Sequence, residues 1–317
     1  MRCLVTGGAG FIGGHIVETL LAAGHTPVVL DHRLEGKDIP TALQNKVKII
    51  RADVLDPTSL ADVFSDCDAV FHLAALVGVT AYSEKPEETA QTELRGLHNI
   101  CEGAIAAGVR RIVYASSSAV YGEAGGSEPI REDLQITPVS NYGKIKRDNE
   151  IYLEALAAKH PLSATALRIF NVYGPRQDTR LAIPRFIDRA LANQPIELFG
   201  SGAQTRDFIY VKDVAAAAIA CAVQETRGFR AVNAASGKET AIAELADMVV
   251  KLCGSTAGVV SLPVPANRNA YEVQRSCGSR ARLEALSKVT GPTPLLYGLG
   301  ATVDYMRDKI RQTRQSG

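Results

Sequence analysis

Arg2-Cys3-Leu4-Val5-Thr6-Gly7-Gly8-Ala9-Gly10-Phe11-Ile12-Gly13 is the stretch whose reading decides the fold. An apolar run of strand length ends in glycines at the spacing G-x-x-G-x-x-G, and an amphipathic stretch from Phe11 to Ala23 follows at once. The expected order is strand, tight turn, helix. Gly7 takes a turn that a residue with a Cβ resists, Gly10 lets the backbone approach a pyrophosphate, and Gly13 lets the helix pack tightly on the strand. The helix N-terminus aims N–H groups and a partial positive charge at the phosphates. Glycine-rich turns also join strands to helices for purely structural reasons, so the surroundings carry the weight.

Beyond a Gly24 stop, Thr26-Pro27-Val28-Val29-Leu30-Asp31 reads as a second strand with an acid at its tip. Asp31 is placed to hydrogen-bond ribose hydroxyls and to repel a 2′-phosphate, which selects NAD over NADP; the nearby Arg33 keeps NADP open. Residues 47–52 form a third strand, and Asp53 and Val54 after it stand either where an adenine edge would lie or in a plain loop. A fourth strand, 68–73, runs through Leu73 into Ala74 and Ala75, small residues that leave a cofactor room across the strand ends. His72, inside that apolar strand, reads as a satisfied core histidine. A helical pattern over 86–107 and a fifth strand over 111–115 follow. This alternation is expected to give an α/β fold, a Rossmann-type doubly wound parallel sheet with helices on both faces.

The chain has 317 residues, 46% apolar and 22% charged, enough for a two-lobed α/β enzyme. A formal charge of +1 leaves no electrostatic footprint for nucleic acid or an anionic membrane. The apolar runs are short, with no signal-type segment at the start. The six cysteines are scattered, with no C-x-x-C pair and no histidines at ligand spacing. We therefore expect a soluble, cytoplasmic protein with buried thiols and no metal.

Ser140-Asn141-Tyr142-Gly143-Lys144-Ile145-Lys146 opens a helical run after a polar loop. Tyr142 and Lys146, four apart, share one helix face. A lysine ammonium near the phenol, with a positively charged nicotinamide opposite, would favour the phenolate and make Tyr142 a general base, although taken alone a Y-x-x-x-K spacing is more often a chance pattern on a helix.

Taken in order, TGGAGFIG, Asp31, HLAA at 72–75, SSSAVYG at 116–122, YGKIK at 142–146, RIFNVYGPRQ at 168–177, FGSGAQTRDFIYVKDV at 199–214 and TPLLYGLGATVDYMR at 293–307 resemble the extended short-chain dehydrogenase/reductase family. Within it the chain is most similar to nucleotide-sugar 4-epimerases of the UDP-galactose 4-epimerase (UDP-glucose 4-epimerase) type. The resemblance implies an NAD-binding domain over residues 1–170 plus about 208–234. A smaller C-terminal α/β lobe, 171–207 and 235–317, would bind a nucleoside-diphosphate sugar. It assigns Tyr142 and Lys146 as base and supporting lysine, and Ser117, with Ser118 beside it, to the sugar. Phe170 would line the nicotinamide, Asn171 the sugar diphosphate and Phe199 the uracil; Arg206 and Arg268 would contact the nucleotide. Arginine suits that last task because its guanidinium binds a phosphate bidentately. The resemblance also implies a homodimer through the helical patterns 86–107 and 143–159, with Leu97, Ile100, Ala104 and Ile151 as apolar contacts.

Two positions depart from the family. Glu93 replaces the usual asparagine of an N-V-x-G-T run, either disturbing the site or pairing with Arg95 outside it. The R-x-G-D pattern is degraded to Arg268-Asn269-Ala270-Tyr271-Glu272. If Glu272 is its acid, Ser276 borders the sugar's C2 substituent and admits an N-acetyl group; one residue's slip puts Arg275 there and favours a carboxylate-bearing sugar such as UDP-glucuronate. Related dehydratases and decarboxylases carry an acid where Ala119 stands, and removing water needs such a proton donor. Epimerisation at C4 through a 4-keto sugar needs none. A UDP-glucuronate epimerase or decarboxylase, a dehydratase or reductase of the family, and a catalytically silent NAD-binding sensor stand as alternatives.

Overall fold

The computed structural model describes residues 1–32, 34, 45–75, 86–123, 126–224, 226–264, 273–286 and 291–315. Arg33, Arg268 and Glu272 lie outside the described residues. Strands β1 (Arg2–Thr6), β2 (Thr26–Asp31), β3 (Lys48–Arg51), β4 (Ala69–His72), β5 (Arg111–Ser117), β6 (Ser163–Ile169) and β10 (Gly228–Ala234) form one sheet in the order β3-β2-β1-β4-β5-β6-β10. Every neighbouring pair is parallel, as helical crossovers demand. The chain steps outward from β1 to β3, then returns to the other side of β1 at β4. That reversal opens a crevice at the C-terminal ends of β1 and β4, where such sheets bind ligands.

Residues alternate between the two faces of each strand, and both faces are covered, so the strands read as nearly continuous apolar runs. Cys3 and Val5 of β1 pack with Ile16 and Leu20 of helix α1 (Phe11–Ala22) and with Val214 and Cys221 of α5 (Val211–Val223). Leu4 points the other way, into a cluster with Leu97, Ile100 and Ala104 of α2 (Pro86–Ala106) and Leu153 of α3 (Asn141–Lys159). This corrects one expectation. Leu97, Ile100 and Ala104 are 0% exposed within their own chain, because the apolar face of α2 covers the sheet; of the four proposed contacts, only Ile151 faces outward, at 49% exposed.

The smaller lobe is built on two short sheets. Strand β9 (Thr205–Tyr210) pairs parallel with β7 (Asn171–Tyr173) and antiparallel with β11 (Glu239–Ala241). Strands β8 (Ile196–Phe199) and β12 (Val259–Leu262) pair parallel. Helices α4 (Ala182–Leu191), α6 (Ile242–Cys253) and α8 (Leu295–Gln315) close a third core around Ile187, Leu198, Leu245 and Leu299. Arg176 forks onto Glu18 of α1 at 2.7 and 2.8 Å, tying the turn after β7 to the first helix. Burial opposes ionisation of Glu18, but hydrogen bonds from His15 and Arg176 outweigh it and hold the carboxyl down at about 2. A short helix, α7 (Ala281–Leu286), packs near β10.

All six cysteines are free, four of them buried, and burial pushes the Cys3 and Cys277 thiols up to about 11. Among the described residues no helix is long and apolar enough to cross a membrane.

Candidate active site

A cleft of about 320 Å³ runs from the first turn to the start of α3, lined by Gly7, Gly10, Phe11, Ile12, Gly13, Leu73, Ala75, Glu93, Ser117, Tyr142, Lys146 and Phe170 among others. The glycines make one end of it. Gly7 has φ +66°, and a Cβ there would lie 2.9 Å from the backbone of Leu73 and Ala74. A Cβ on Gly13 would sit 2.2 Å from the Gly7 carbonyl oxygen, so only glycine lets α1 begin this close to the turn. Gly10 caps the helix without a side-chain hydrogen bond, which leaves the first-turn amides for a ligand anion. Asp31, 3% exposed, accepts the Ala9 N–H at 3.2 Å and so fixes the loop to the tip of β2. This cradle fits a dinucleotide.

Thr6 ties β1 to the exit of β4. Its Oγ1 accepts the Leu73 and Ala74 N–H groups at 3.2 Å and shares a 2.8 Å hydrogen bond with His72 Nδ1. Burial, aided by the Lys146 charge, drives His72 down to about 3, so this ring is neutral.

At the other end, Ser117 Oγ accepts the Ala119 N–H at 3.2 Å and caps a 3-10 turn over Ser118–Tyr121. Gly143 explains how α3 reaches that turn, since a Cβ there would lie 2.4 Å from the Ala119 carbonyl oxygen. Ser140 caps α3 by accepting the Gly143 N–H at 3.1 Å. Lys146 is thereby buried, its Nζ donating to the Ala115 carbonyl at 3.0 Å and lying 5.7 Å from the Tyr142 ring centre. Glu93, 0% exposed, takes a second lysine hydrogen bond at 2.9 Å and one from the Tyr114 hydroxyl at 3.2 Å. Of the two readings of Glu93, the carboxylate is inside the site. Burial alone would lower the Lys146 ammonium, but Glu93 outweighs it, with Tyr142 adding, and the group titrates above the ordinary lysine range.

A buried network behind this wall escaped the sequence reading. Glu150 of α3 accepts from Arg168 Nε at 2.9 Å and Nη2 at 2.8 Å, from Ser116 at 2.7 Å and from Arg147 at 3.2 Å. Arg168 also donates to the Tyr121 hydroxyl at 2.9 Å, which donates to Asn233 at 2.7 Å. These groups hold β5, α3, β6 and β10 in register beneath Ser117 and Tyr142. The motifs SSSAVYG and RIFNVYGPRQ supply Ser116, Tyr121 and Arg168, yet nothing local in the sequence pairs them with Glu150, Arg147 or Asn233.

The other predicted residues that the structure describes are not part of the cleft lining. Asp53 is exposed and accepts the Leu55 N–H at 2.9 Å, while Val54 is buried against α2. Ala74 and Ser118 are half-buried at the strand exits. Asn171 is exposed on β7, opposite Phe208 of β9. Arg206, half-buried on the same strand β9, donates to the Thr205 carbonyl at 2.8 Å. Thr205 bridges to Arg275, which places Ser276 beside this small sheet. Phe199 ends β8, paired with Leu262. Arg275 is held by Glu239 at 2.9 Å and donates to the carbonyls of Gly126 and Glu128. Asp207, missed by the sequence reading, accepts the N–H groups of Ser236, Gly237 and Gly278 at 2.7, 3.0 and 3.0 Å and pins those loops together.

The description of the NAD dependent epimerase/dehydratase family matches residues 3–235. The chain belongs to that family. A UDP-glucose 4-epimerase of Mycolicibacterium smegmatis is 33% identical over 98% of this chain and 99% of the relative. A UDP-N-acetyl-alpha-D-glucosaminuronate decarboxylase of Bacillus cytotoxicus is 36% identical, covering 83% of each. The crystal structure of Thermotoga maritima UDP-glucose 4-epimerase with UDP-glucose superposes with a TM-score of 0.89 at 30% identity, over 98% of this chain and 100% of that one. The Rossmann-type sheet and the smaller lobe are therefore those of this epimerase family.

Proposed function

We propose that this chain is an NAD-dependent isomerase that inverts C4 of a UDP-sugar, glucose- or N-acetylglucosamine-type, through a 4-keto intermediate. The observation that carries the reading is the convergence of Ser117, Tyr142 and Lys146 in one cleft with the glycine cradle. Gly7, Gly10, Gly13 and Asp31 would hold NAD, with Phe11, Ile12, Leu73 and Phe170 along its length. When bound, NAD supplies the acceptor and donor of hydride. Tyr142 takes the proton of the 4-hydroxyl as the C4 hydrogen departs with its electron pair, and returns it when the hydride comes back to the other face. Ser117 orients that hydroxyl; Lys146 fixes the base from below. Ala119 offers no acid for eliminating water, and Glu93 is engaged by Lys146 and Tyr114. The similar decarboxylase makes a carboxylate-bearing sugar the second reading. Product NMR after incubation with a panel of UDP-, dTDP- and GDP-sugars separates epimer, keto-sugar and pentose, and a panel without a 4-epimer sinks the proposal.

We infer the same division of labour as the sequence suggested: residues 1–170 with about 208–234 for NAD, and 171–207 with 235–317 for the nucleotide sugar, through Asn171, Phe199, Arg206, Arg268 and Ser276. Six free thiols support a cytoplasmic setting. The cofactor assignment predicts that denaturing purified protein releases NAD. Asp31→Ala removes both the Ala9 anchor and the ribose acceptor, so the preference for NAD over NADP should narrow by about tenfold or more. Equal preference in wild type and variant contradicts the role of Asp31. A homodimer through α2 and α3 is supported by the outward Ile151. Light scattering should give twice the 33.8 kDa monomer mass at micromolar concentration; the monomer mass rejects it.

A further inference from the structure

Glu93 and Lys146 form a fully enclosed ion pair, 0% and 4% exposed, in the wall of the cleft. With a neutral amide at position 93, the lysine charge would be matched by Tyr142 alone when that residue is the anionic base. With Glu93 as well, the three described groups Glu93, Lys146 and Tyr142 carry a net negative charge. Behind this wall Glu150 is shared by Arg168 at 2.8 Å and by the partly exposed Arg147 at 3.2 Å, and His72 is held neutral. On the reading above, Tyr142 must lie beside the carbon that loses hydride, and the ring receiving it must lie beside that carbon. The nicotinamide is then a near neighbour of the pair. Its oxidised form carries a positive charge and its reduced form does not, so the net charge of this wall acts on one form alone.

We propose that Glu93 is a positioning residue for Lys146 and the counter-ion that keeps the cleft receptive to oxidised NAD. The proposal rests on the NAD assignment. The consequence is chemical: a cycle that begins by removing hydride from the sugar needs the oxidised ring in place, and the negative charge that Glu93 adds favours it over the reduced ring.

The test is competition. Purified protein is equilibrated with excess equimolar NAD+ and NADH, separated from free nucleotide, and the two bound forms are extracted and quantified. Glu93→Gln keeps an oxygen for Lys146 and Tyr114 while removing the charge, and should lower the bound NAD+ to NADH ratio about tenfold; Glu93→Asp should restore most of it. A ratio unchanged in Glu93→Gln overturns the proposal, even where total binding weakens, because a merely structural role weakens both forms alike. If Glu93→Gln fails to fold, Glu93→Asn is measured the same way, and a wild-type ratio there overturns it equally. Wild type that binds neither form sinks the NAD assignment and the proposal with it, which is a different result from an unchanged ratio.

Discussion

Tyr142→Phe is expected to bind NAD and nucleotide sugar normally and to lose kcat by about 10²–10⁴-fold. The substitution removes one hydroxyl from a side chain seated by Ser140 and Gly143 at the start of α3. It leaves the ring that lies 5.7 Å from Lys146 Nζ. The loss should fall on kcat with KM nearly unchanged, because the phenolate acts on a proton that moves only in the transition state. Steady-state kinetics with the sugar identified by the panel checks it. Near wild-type kcat would remove Tyr142 from the mechanism.

Glu150→Ala should cost about 3–5 kcal/mol of folding stability. Glu150 is 0% exposed and accepts both forks of Arg168, itself 2% exposed, together with Ser116 and Arg147. Truncation leaves a buried guanidinium without its counter-charge, and the loss of that desolvated partner dominates over the lost packing. Urea unfolding should show a lower midpoint at an unchanged slope. The double variant Glu150→Ala with Arg168→Met should recover much of the loss, since no charge is then stranded. A single-variant loss below about 1 kcal/mol, the scale of an exposed ion pair, would contradict the account.

What was legible in the sequence was local. The glycine stretch from Gly7 to Gly13 specifies a strand, a turn and a helix start because each glycine answers to a neighbour within a few residues or to the adjoining strand exit. Asp31, Leu73 and Ala75 followed from the strand order that such a turn implies. The pairing of Glu93 with Lys146 was not legible: the residues are 53 positions apart, and Arg95 lay nearer along the chain. The Glu150–Arg168–Tyr121 network was hidden for the same reason, its members belonging to three segments whose packing fixes their partners. Periodicity found the apolar face of α2 through Leu97, Ile100 and Ala104, but says only that a face is covered. The chain's own sheet covers it. The positions read for the sugar, from Asn171 to Ser276, came from resemblance, and their strands are distant in sequence, so no local pattern marked them as neighbours.

The central claim is that hydride leaves C4 of the sugar and returns to the same carbon within one cleft. A UDP-sugar carrying deuterium at C4, incubated in ordinary water with the protein, reads this directly by proton NMR of the product. The account predicts a 4-epimer that retains deuterium at C4 and takes up no solvent hydrogen at C3 or C5. Loss of the C4 label to solvent, or an unsaturated or decarboxylated product in place of the epimer, would contradict it.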